Sequence, residues 1–546
     1  MKLRNPDLLT LYTADGECTA PLSPAPGSIF VRGDIELSTT LFEQAGTLSI
    51  KVRAASTPLC WIRLRWNFTP DERRDEPVKI LGDHWERGYG DLVWRGIEPG
   101  RMMPWYILVS NGSDACPDTT GRRTEGFGVR VRPGAVCAWQ YDGAGVTLWA
   151  DVRSGGEGVI LEGRTISVCT LLFRDYENTT AFAAGRAFCA EMCPDPRLPK
   201  HPVYGSNNWY YAYGKSSHDE ILGDTKIVAE QCAGLENLPY MVIDDGWQKW
   251  NTDAPWTVTN ERFRDMKALA DEMRAAGVRP GIWVRYLVDG HRELDALEGA
   301  DESWRLSRDA NFLDPSHPAV LDYVARITRT LAHDWGYALI KHDYSTFDIF
   351  GNWGMHFGNK ITKDGWHFHD RSRTSAEIVV NFYKTIREAA GEDCVIIGCN
   401  TIPHLCAGLH ELNRTGDDTS GFEWDRTRKM GVNTLAFRLI QNGTFYMADA
   451  DCVGITGAIG WAYNRQWLDV LARTGSPLFV SCKPGVLNAD ELAELKAAWA
   501  VNSVQKNEAR PLDWMENETP ALWEIDGEVV RYNWYNELGA ETFRGK

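Results

Sequence analysis

Eight short apolar runs, most of which end in polar residues, recur along the second half of the chain. Strands of a parallel barrel are buried on both faces and read as continuous apolar runs, whereas their C-terminal ends open onto the catalytic face. The runs span roughly 280 residues, close to the ~250 that are typical of a (β/α)8 barrel. They are YGSNNW, YMVIDD, GIWVRY, ALIKHD, CVIIGC, LHELNR, TFYMAD and PLFVSC. The sequence therefore predicts an α/β fold with a central (β/α)8 TIM barrel.

Amphipathic helices are predicted between these runs. Apolar side chains at helical spacing lead from Phe263 to Ala276, and Gly277 follows as a C-terminal cap. Another helix is predicted to begin at Thr374, because Glu377 stands at the spacing of a capping box. Strands that alternate with amphipathic helices are typical of parallel β/α units.

The chain before the barrel has a different pattern. Leu48, Ile50 and Val52 alternate with polar residues, and such period-two alternation with polar turns predicts an antiparallel β-sandwich. The proline-rich segment EMCPDPRLPKHPV interrupts both helix and strand and indicates a connection between domains. Near the other end, a hairpin is predicted around Asp526-Gly527.

These patterns divide the chain into four predicted parts. The residues after the barrel are too few for a complete second sandwich, so only a short β region is expected there. The parts are an N-terminal β-sandwich domain at 1–185, a linker at 186–203, the catalytic barrel at 204–503 and a C-terminal β region at 504–546.

Charge and cysteine content exclude several classes of partner. The formal net charge is −17, with 75 acidic and 58 basic residues. Nucleic acid and anionic membrane surfaces repel such a chain, so neither is expected as a partner. Thirteen cysteines without tandem spacing indicate neither a disulfide framework nor a metal site. Without a signal-peptide pattern or an apolar run of ~18 residues, the expectation is a cytoplasmic protein.

Carboxylates stand at the ends of two predicted strands. Asp343 ends the run ALIKHD, and Asp417 and Asp418 follow the run LHELNR, close to Arg414. Two acids at the mouths of different strands can face each other across a pocket, as hydrolysis of a glycosidic bond requires. A separation of ~5–5.5 Å would give retention of configuration, and ~6.5–9.5 Å would give inversion.

Further polar and aromatic side chains stand at the same strand ends. Each has an ordinary structural explanation: a solvated turn for adjacent acids, a salt bridge for a lysine, and core packing for a thiol or an indole. Together they outline a sugar site, because carboxylates accept strong hydrogen bonds from vicinal hydroxyls. They are Trp209, Asp244, Asp245, Trp283, Arg285, Lys341, Cys399, Arg414, Asp449 and Asp451.

At these motifs the chain resembles the α-galactosidases of glycoside hydrolase family 36, in the clan shared with family 27. The resemblance covers most of residues 200–480, with the motifs in the family's order. It is weaker over the N-terminal region. One departure is His342, which stands where the family commonly has a tryptophan or another bulky residue. The matching stretches are NNWYYAYG, VIDDGWQ, PGIWVRY, LIKHDYSTFD, IIGCN, NRTGDDTSGF and FYMADADC.

The resemblance implies a retaining mechanism on an oligosaccharide substrate, without a cofactor or metal. Asp343 would be the nucleophile and Asp418 the acid/base. Smaller members of the family have an arginine four residues before the acid/base, as Arg414 is here. Larger members instead align their acid with Asp417. The remaining roles implied are binding of the sugar hydroxyls by Asp244, Asp245, Lys341, Cys399 and Arg414, and lining of the pocket by Trp209 and Trp283.

The acid role makes a physical demand on Asp418. A free aspartate has a pKa of ~3.9, and an acid catalyst needs a pKa roughly two to three units higher. The ionised carboxylate of Asp343 is expected to raise the pKa of Asp418. The charge of Asp343 would disappear once the sugar esterifies that residue. Arg414 would oppose this effect if it reached Asp418 rather than the sugar.

Other functions remain open at this stage. Within the family, α-N-acetylgalactosaminidase activity and galactosyl transfer remain possible. The space for an N-acetyl group at the sugar's C2 would be set by the residues from Cys399 to His410. A non-catalytic sugar-binding protein is a second alternative. A metal-dependent hydrolase is a third, with ligands from His342, Asp343, His367 and His369, although such sites need several histidines converging on one ion.

Overall fold

The computed structural model of the protein describes residues 1–22, 27–74, 76–249, 255–504 and 508–535. An antiparallel β region comes first, a mixed α/β region with a nine-stranded parallel sheet follows, and a three-stranded antiparallel sheet comes last. The predicted α/β fold class is confirmed.

The first region consists of two antiparallel sheets. They have the strand orders β2-β1-β6-β12-β11-β8 and β3-β4-β5-β13-β10-β9-β7. Phe173 of the second sheet packs against Trp66 and Trp139 of the first, at ring-centroid distances of 5.3 and 5.9 Å. The predicted alternation is thus confirmed as antiparallel strands with one buried face. The strands are β1 (Leu8–Thr13), β2 (Gly16–Pro21), β3 (Ile29–Arg32), β4 (Ile35–Phe42), β5 (Thr47–Ala54), β6 (Leu59–Asn67), β7 (Lys79–Gly82), β8 (Met103–Pro104), β9 (Tyr106–Ser110), β10 (Arg123–Val129), β11 (Val136–Asp142), β12 (Gly145–Asp151) and β13 (Thr165–Glu177).

Helix α1 (Ala181–Met192) connects this region to the next. It begins at Thr180, whose hydroxyl accepts a hydrogen bond from the amide of Ala183. Phe188 packs on β10 at Gly126, where an added Cβ would come within 2.9 Å of its ring. The helix therefore occupies the start of the segment predicted as a linker, and only the proline-rich residues 193–203 are without helix or strand.

All eight predicted barrel runs are strands of one parallel sheet, in the order β22-β21-β20-β19-β16-β15-β14-β24-β23. The two end strands, β22 and β23, are consecutive in the chain and are separated by Ala450 and Asp451. The strands of this region, including a separate β17–β18 hairpin, are β14 (Tyr204–Asn207), β15 (Tyr240–Ile243), β16 (Arg279–Val284), β17 (Arg305–Leu306), β18 (Asp309–Leu313), β19 (Leu339–His342), β20 (Val395–Gly398), β21 (Leu412–Arg414), β22 (Met447–Asp449), β23 (Cys452–Ile455) and β24 (Leu478–Cys482).

Two predicted helix signals are confirmed, Gly277 after α4 and the capping box of α8, whereas α4 begins at Met266 and leaves Phe263 outside the helix. Asp265 caps α4, and Gly277 follows it with a φ of +85°, the left-handed conformation of a C-terminal cap. Thr374 and Glu377 form the predicted capping box of α8. The helices are α2 (Trp209–Ala212), α3 (His218–Gln231), α4 (Met266–Ala275), α5 (Glu293–Leu297), α6 (Pro318–Arg329), α7 (Ser345–Phe350), α8 (Ser375–Ala390), α9 (Pro403–Cys406), α10 (Trp424–Thr427), α11 (Thr434–Arg438), α12 (Trp461–Arg473) and α13 (Ala489–Asn502).

The C-terminal sheet contains β25 (Ala509–Pro511), β26 (Leu522–Ile525) and β27 (Glu528–Arg531). The predicted hairpin is confirmed, because Asp526 and Gly527 join β26 to β27 with positive φ angles of 53° and 82°. Residues 505–507 and 536–546 of the predicted C-terminal region lie outside the described residues. The thirteen cysteines are free. Within the described ranges, every helix is too short or too polar to cross a membrane.

A loop of the N-terminal region reaches the C-terminal ends of the parallel strands. Asp83 anchors its start, accepting hydrogen bonds from Arg438 at 2.8 and 2.9 Å. Farther along, the amide of Gly88 donates to the carbonyl of Thr415 at 2.7 Å, and the amide of Asp417 donates to the carbonyl of Gly88 at 3.1 Å. The loop thus pairs with the backbone just after β21, which fixes the position of residue 87 between its two anchors.

Candidate active site

The polar strand ends meet around two connected groups of side chains. One lines an open pocket of about 170 Å³ and the other a smaller cavity of about 20 Å³. Lining the pocket are Arg87, Asp343, Tyr344, Trp353, Met355, Asp417 and Asp418. Lining the smaller cavity are Asn207, Val242, Lys341, Ile397, Arg414, Asp449, Asp451, Cys452 and Phe479.

Asp343 is held as an oriented carboxylate. Its Oδ2 accepts from the indole Nε1 of Trp283 at 3.0 Å, and its Oδ1 accepts from the amide of Tyr344 at 2.7 Å. Burial raises the pKa of Asp343, but the charges of Lys341 and Arg87 and the Trp283 hydrogen bond outweigh it, so the pKa is lowered overall. Tyr344 has a φ of +63°, the kind of backbone strain that is common at functional sites.

Asp418 faces the same pocket with a side chain that is 40% exposed. Arg414 donates from Nη2 to its Oδ1 at 3.1 Å. Enclosure by the protein raises the pKa of Asp418, but the charges of Arg414, Arg87 and Lys341 lower it to about 2. The expectation of a raised pKa is therefore wrong for the free protein. The physical reason is that Arg414 contacts the carboxylate of Asp418 directly and favours its ionised form.

Asp417, the alternative acid, is engaged on both oxygens. Its Oδ1 lies 2.6 Å from Nη2 of Arg87, and its Oδ2 accepts from Nη2 of Arg426 at 2.9 Å. Its side chain is 10% exposed. Of the two adjacent acids, Asp418 is thus the more accessible from the pocket, and Asp417 fixes the position of two arginines.

A buried ion pair lies deeper in the site. Nζ of Lys341 donates to Oδ2 of Asp244 at 2.7 Å, and the same oxygen accepts from Nδ2 of Asn207 at 2.6 Å. The neighbouring Asp245 accepts from Nε2 of Gln248 at 2.7 Å. Burial and the charge of Asp244 raise the pKa of Asp245 to about 7. Near neutral pH this carboxyl group can therefore either donate or accept a hydrogen bond.

Cys399 and the two predicted tryptophans have distinct environments. Sγ of the buried Cys399 lies 3.4 Å from Nη1 of Arg414 and 3.8 Å from Nη1 of Arg87. Trp283 is only 2% exposed, so its contribution to the site is the hydrogen bond to Asp343 rather than an open ring face. Trp209 is half-buried, and its ring lies 5.1 Å from that of Tyr213.

The remaining polar residues at the strand ends contact the residues that line the pocket or pair with one another. Oδ2 of Asp451 lies 3.1 Å from Nη2 of Arg414 and accepts from the amide of Thr419 at 2.8 Å. Burial raises the pKa of Asp449 to about 6. Arg285 pairs with the buried Asp348, to which its Nη2 donates a hydrogen bond at 2.7 Å.

Sequence reasoning missed four residues of the pocket: Arg87, Tyr344, Trp353 and Met355. Tyr344 directly follows Asp343 within the stretch LIKHDYSTFD, so its place could have been inferred. Arg87 comes from the N-terminal loop, and Trp353 and Met355 follow helix α7. Their places depend on long-range packing that no local pattern encodes.

The four proposed metal ligands do not converge. His342 points away from the pocket into an aromatic environment, with ring centroids of Tyr286 and Phe382 each 5.4 Å away. His369 packs against His317 instead, at 4.5 Å, and Nδ1 of His367 is 2.8 Å from the carbonyl oxygen of Phe368. Across the described ranges, no three histidine, cysteine or acidic side chains are arranged to hold a metal ion.

Burial of His342 predicts a dependence of stability on pH. Neither ring nitrogen has a hydrogen-bond partner among the described residues, and burial lowers the pKa of His342 to about 3. The unfolded chain takes up a proton below a pKa of ~6.5 while the folded protein does not, so stability is full above that pH and falls as the pH decreases toward 3. At pH 5 this histidine costs about 2 kcal/mol of unfolding free energy.

We expect His342→Phe to lose less stability than the parent protein between pH 7 and pH 5, as measured by urea denaturation followed by tryptophan fluorescence. The exposed His201, changed to Phe, is the matched control and should follow the parent. An unchanged pH dependence in His342→Phe would show that this ring is not a source of acid sensitivity.

No protein-family model matches the chain. Its fold is similar to that of the α-galactosidase TtGalA of Thermus thermophilus in complex with p-nitrophenyl α-D-galactopyranoside. The TM-score is 0.58 and the identity 16%, over 93% of this chain and 99% of that chain.

Two further solved structures have the same relationship. A point variant of the GH36 α-galactosidase AgaA of Geobacillus stearothermophilus, in complex with 1-deoxygalactonojirimycin, gives a TM-score of 0.60 and 14% identity, over 93% of this chain and 77% of that chain. The galactosidase domain of the α-galactosidase–sucrose kinase AgaSK gives a TM-score of 0.61 and 14% identity, over 90% of this chain and 73% of that chain. The predicted resemblance to this family is thus confirmed at the level of the fold.

Proposed function

We propose that the protein is a retaining, exo-acting α-galactosidase that removes terminal α-linked galactose from oligosaccharides by double displacement. The observation that carries the proposal is that Asp343 and Asp418, from the ends of different strands, line one pocket. At about 170 Å³ this pocket is smaller than the ~300–1,000 Å³ of sites for drug-sized ligands, which suits a single sugar ring. Structures with the same fold include TtGalA in complex with stachyose.

The proposal includes a closed (β/α)8 barrel as its scaffold. β22 pairs with β21 and β23 pairs with β24, and only Ala450 and Asp451 separate β22 from β23 in the chain. Asp451 has a φ of +71°. These features support one barrel strand that is kinked at Asp451 and joins the two edges of the sheet. The four-part domain division given above is part of the same proposal.

Asp343 is proposed as the nucleophile. Its lowered pKa keeps it ionised at neutral pH, and the hydrogen bonds from Trp283 and Tyr344 hold its carboxylate in one orientation. Attack on the anomeric carbon from the face opposite the leaving group would form a β-linked glycosyl ester. Asp343 and Asp418 line the same pocket, which supports a separation short enough for both to reach one sugar.

Asp418 is proposed as the acid/base, with substrate binding as the step that restores its proton. In the free protein Arg414 holds Asp418 as an anion. A sugar hydroxyl that accepts from Arg414 would compete for the same guanidinium, and water exclusion would further favour the neutral acid. Once Asp343 is esterified, its charge no longer favours the proton on Asp418, which can then activate water.

The other predicted residues are proposed to bind the galactose hydroxyls. Lys341 and Asp244 supply a donor and an acceptor that are already oriented by their ion pair. Asp245 adds a carboxyl group that can serve in either role near pH 7. Cys399 and Arg414 complete the set, with Trp283 acting through Asp343 and Trp209 at the rim. The alternative of α-N-acetylgalactosaminidase activity ranks second, because Cys399 is packed against two arginines.

The proposed function is tested with p-nitrophenyl glycosides. The intact protein is expected to release p-nitrophenol from the α-galactoside at least about 100-fold faster, in kcat/KM, than from the α-glucoside or the α-N-acetylgalactosaminide. Asp343→Ala protein, purified in the same way, controls for a contaminating enzyme. A preference for the amino sugar would establish the second candidate. Loss of activity in a chelator would contradict the metal-free mechanism.

A further inference from the structure

A loop of the N-terminal region, residues 83–88, is held between three segments that follow strands β19, β20 and β21. Nε1 of Trp85 donates to the carbonyl of Gly358, in the segment after β19 and α7, at 3.0 Å. Glu86 accepts from Nδ2 of Asn400, after β20, at 2.8 and 2.9 Å. The third contact is the backbone pairing after β21 that is described above. Residues 83–88 are called the N-terminal loop below, and these contacts fix its backbone on both sides of residue 87.

The side chain of Arg87 extends from this loop to the pocket of the two proposed catalytic acids. It is only 5% exposed, and it lines the pocket together with Asp343 and Asp418. Its Nη2 lies 2.6 Å from Oδ1 of Asp417, and its Nη1 lies 3.8 Å from Sγ of Cys399. A charge that is removed from water in this way is weakly screened, so it acts strongly on nearby carboxylates.

The pocket requires a positive charge because it brings several acids together. Three of the seven described residues that line it are aspartates, and Arg87 is the cation among them. Neighbouring carboxylates oppose one another's ionisation unless cations compensate. The donors that contact Asp343 directly, the indole of Trp283 and the amide of Tyr344, are neutral. Compensation for the charge of the nucleophile must therefore come from cations beyond these two donors.

Other titratable groups around the nucleophile add little net charge. Burial raises the pKa of the Tyr344 hydroxyl and of the Cys399 thiol, so both groups are neutral near pH 7. Burial lowers the pKa of His342 to about 3, so this ring is neutral as well. Arg285 is paired with the buried Asp348 at 2.7 Å, and their charges offset each other.

Lys341 and Arg87 are the cations that act most strongly on Asp343. Burial raises the pKa of Asp343, but the charges of Lys341 and Arg87 outweigh burial. Lys341 belongs to strand β19 and is already paired with Asp244 at 2.7 Å. Arg87 instead comes from the N-terminal loop, so part of the charge balance of the pocket is supplied from outside the parallel sheet.

We propose that Arg87 is a positioning residue of the reaction, held in the pocket by the N-terminal loop as the positive charge that balances the surrounding aspartates. The inference rests on the proposed function and adds a residue to it. It also makes catalysis depend on the packing of the N-terminal region against the strand ends. Loss of this charge would favour protonation of Asp343, so the rate would fall at a higher pH on the acid side.

The first test is the pH profile of kcat/KM for p-nitrophenyl α-galactoside, whose leaving group departs without protonation, so that the acid limb reports the nucleophile. Arg87→Met should move this limb upward by about one pH unit, because a nearby opposite charge is lost. Arg87→Lys keeps the charge and should stay within about 0.3 unit of the parent. Arg426→Met is the matched control, since Arg426 contacts the other oxygen of Asp417, and its limb should not move. Circular dichroism at each pH checks that the variants are folded.

The second test measures binding without turnover, by calorimetry at pH 6. The probes are galactose, which is neutral, and 1-deoxygalactonojirimycin, an iminosugar whose ring nitrogen can carry a positive charge. In Arg87→Met, the affinity for the iminosugar relative to galactose should rise at least about 3-fold, because a repelling charge has been removed. A merely structural role would weaken both probes alike.

Each outcome separates this inference from the function on which it rests. If the parent protein does not hydrolyse the α-galactoside, the proposed function itself fails. If it does, an unmoved acid limb in Arg87→Met, an equal shift in Arg87→Lys, or equal changes in affinity for the two probes would each overturn the role of Arg87. Arg87→Met protein that does not fold would also overturn it, because the residue would then be structural.

Discussion

Asp343→Ala is expected to lower kcat for p-nitrophenyl α-galactoside by at least about 10⁴-fold, because without this carboxylate no glycosyl-enzyme ester can form. Hydrogen bonds from Trp283 and Tyr344 hold both oxygens of Asp343 in one orientation, which the alanine variant cannot reproduce. The measurement is steady-state release of p-nitrophenol at pH 6 to 7.

Asp15→Ala is the matched control, since Asp15 is an exposed aspartate near the start of the chain. It should retain the activity of the parent. Circular dichroism of Asp343→Ala should match the parent as well, because its side chain contributes two local hydrogen bonds and no packing of the core. Turnover within about 10-fold of the parent in Asp343→Ala would remove it from the role of nucleophile.

Asp418→Ala is expected to give a loss that depends on the leaving group. With melibiose, whose sugar leaving group needs protonation, kcat/KM should fall about 10²- to 10⁴-fold. With a p-nitrophenyl leaving group, which departs without protonation, kcat/KM should fall much less. The pH profile adds a second criterion: the decline of parent activity at high pH, which reflects loss of the acid's proton, should disappear in Asp418→Ala.

Asp417→Ala serves as the matched control for the adjacent acid. Its loss should be similar for the two leaving groups, because both carboxylate oxygens of Asp417 are engaged by Arg87 and Arg426. If instead Asp417→Ala shows the dependence on leaving group and Asp418→Ala does not, the acid/base role belongs to Asp417, as in the alignment with the larger family members.

Local patterns were sufficient to predict the parallel strands and several element ends. Each of the eight apolar runs is a strand of the parallel sheet, and the capping box at Thr374 and the hairpin at Asp526 are where the sequence predicts them. Strand β23 (Cys452–Ile455) was not predicted, because it follows the run TFYMAD after only Ala450 and Asp451, and no turn pattern separates it from β22.

The candidate site was predictable only in part. Residues at strand ends were found because all parallel strands present their C-terminal ends on one side. Arg87 was not found, because its place depends on the pairing of Gly88 with a backbone segment more than 300 residues later. The direction of the pKa shift of Asp418 was also wrong, since it depends on which atom Arg414 contacts, and sequence spacing does not specify that.

The most direct test of the central claim, that Asp343 and Asp418 act from opposite faces of one anomeric carbon, is the configuration of galactosyl azide formed by the two variants. With azide and an activated α-galactoside, Asp343→Ala should yield β-galactosyl azide, because azide replaces the missing nucleophile. Asp418→Ala should yield α-galactosyl azide, because azide attacks the ester on Asp343. Proton NMR of the products distinguishes the anomers. The same anomer from both variants, or the reverse assignment, would contradict the account.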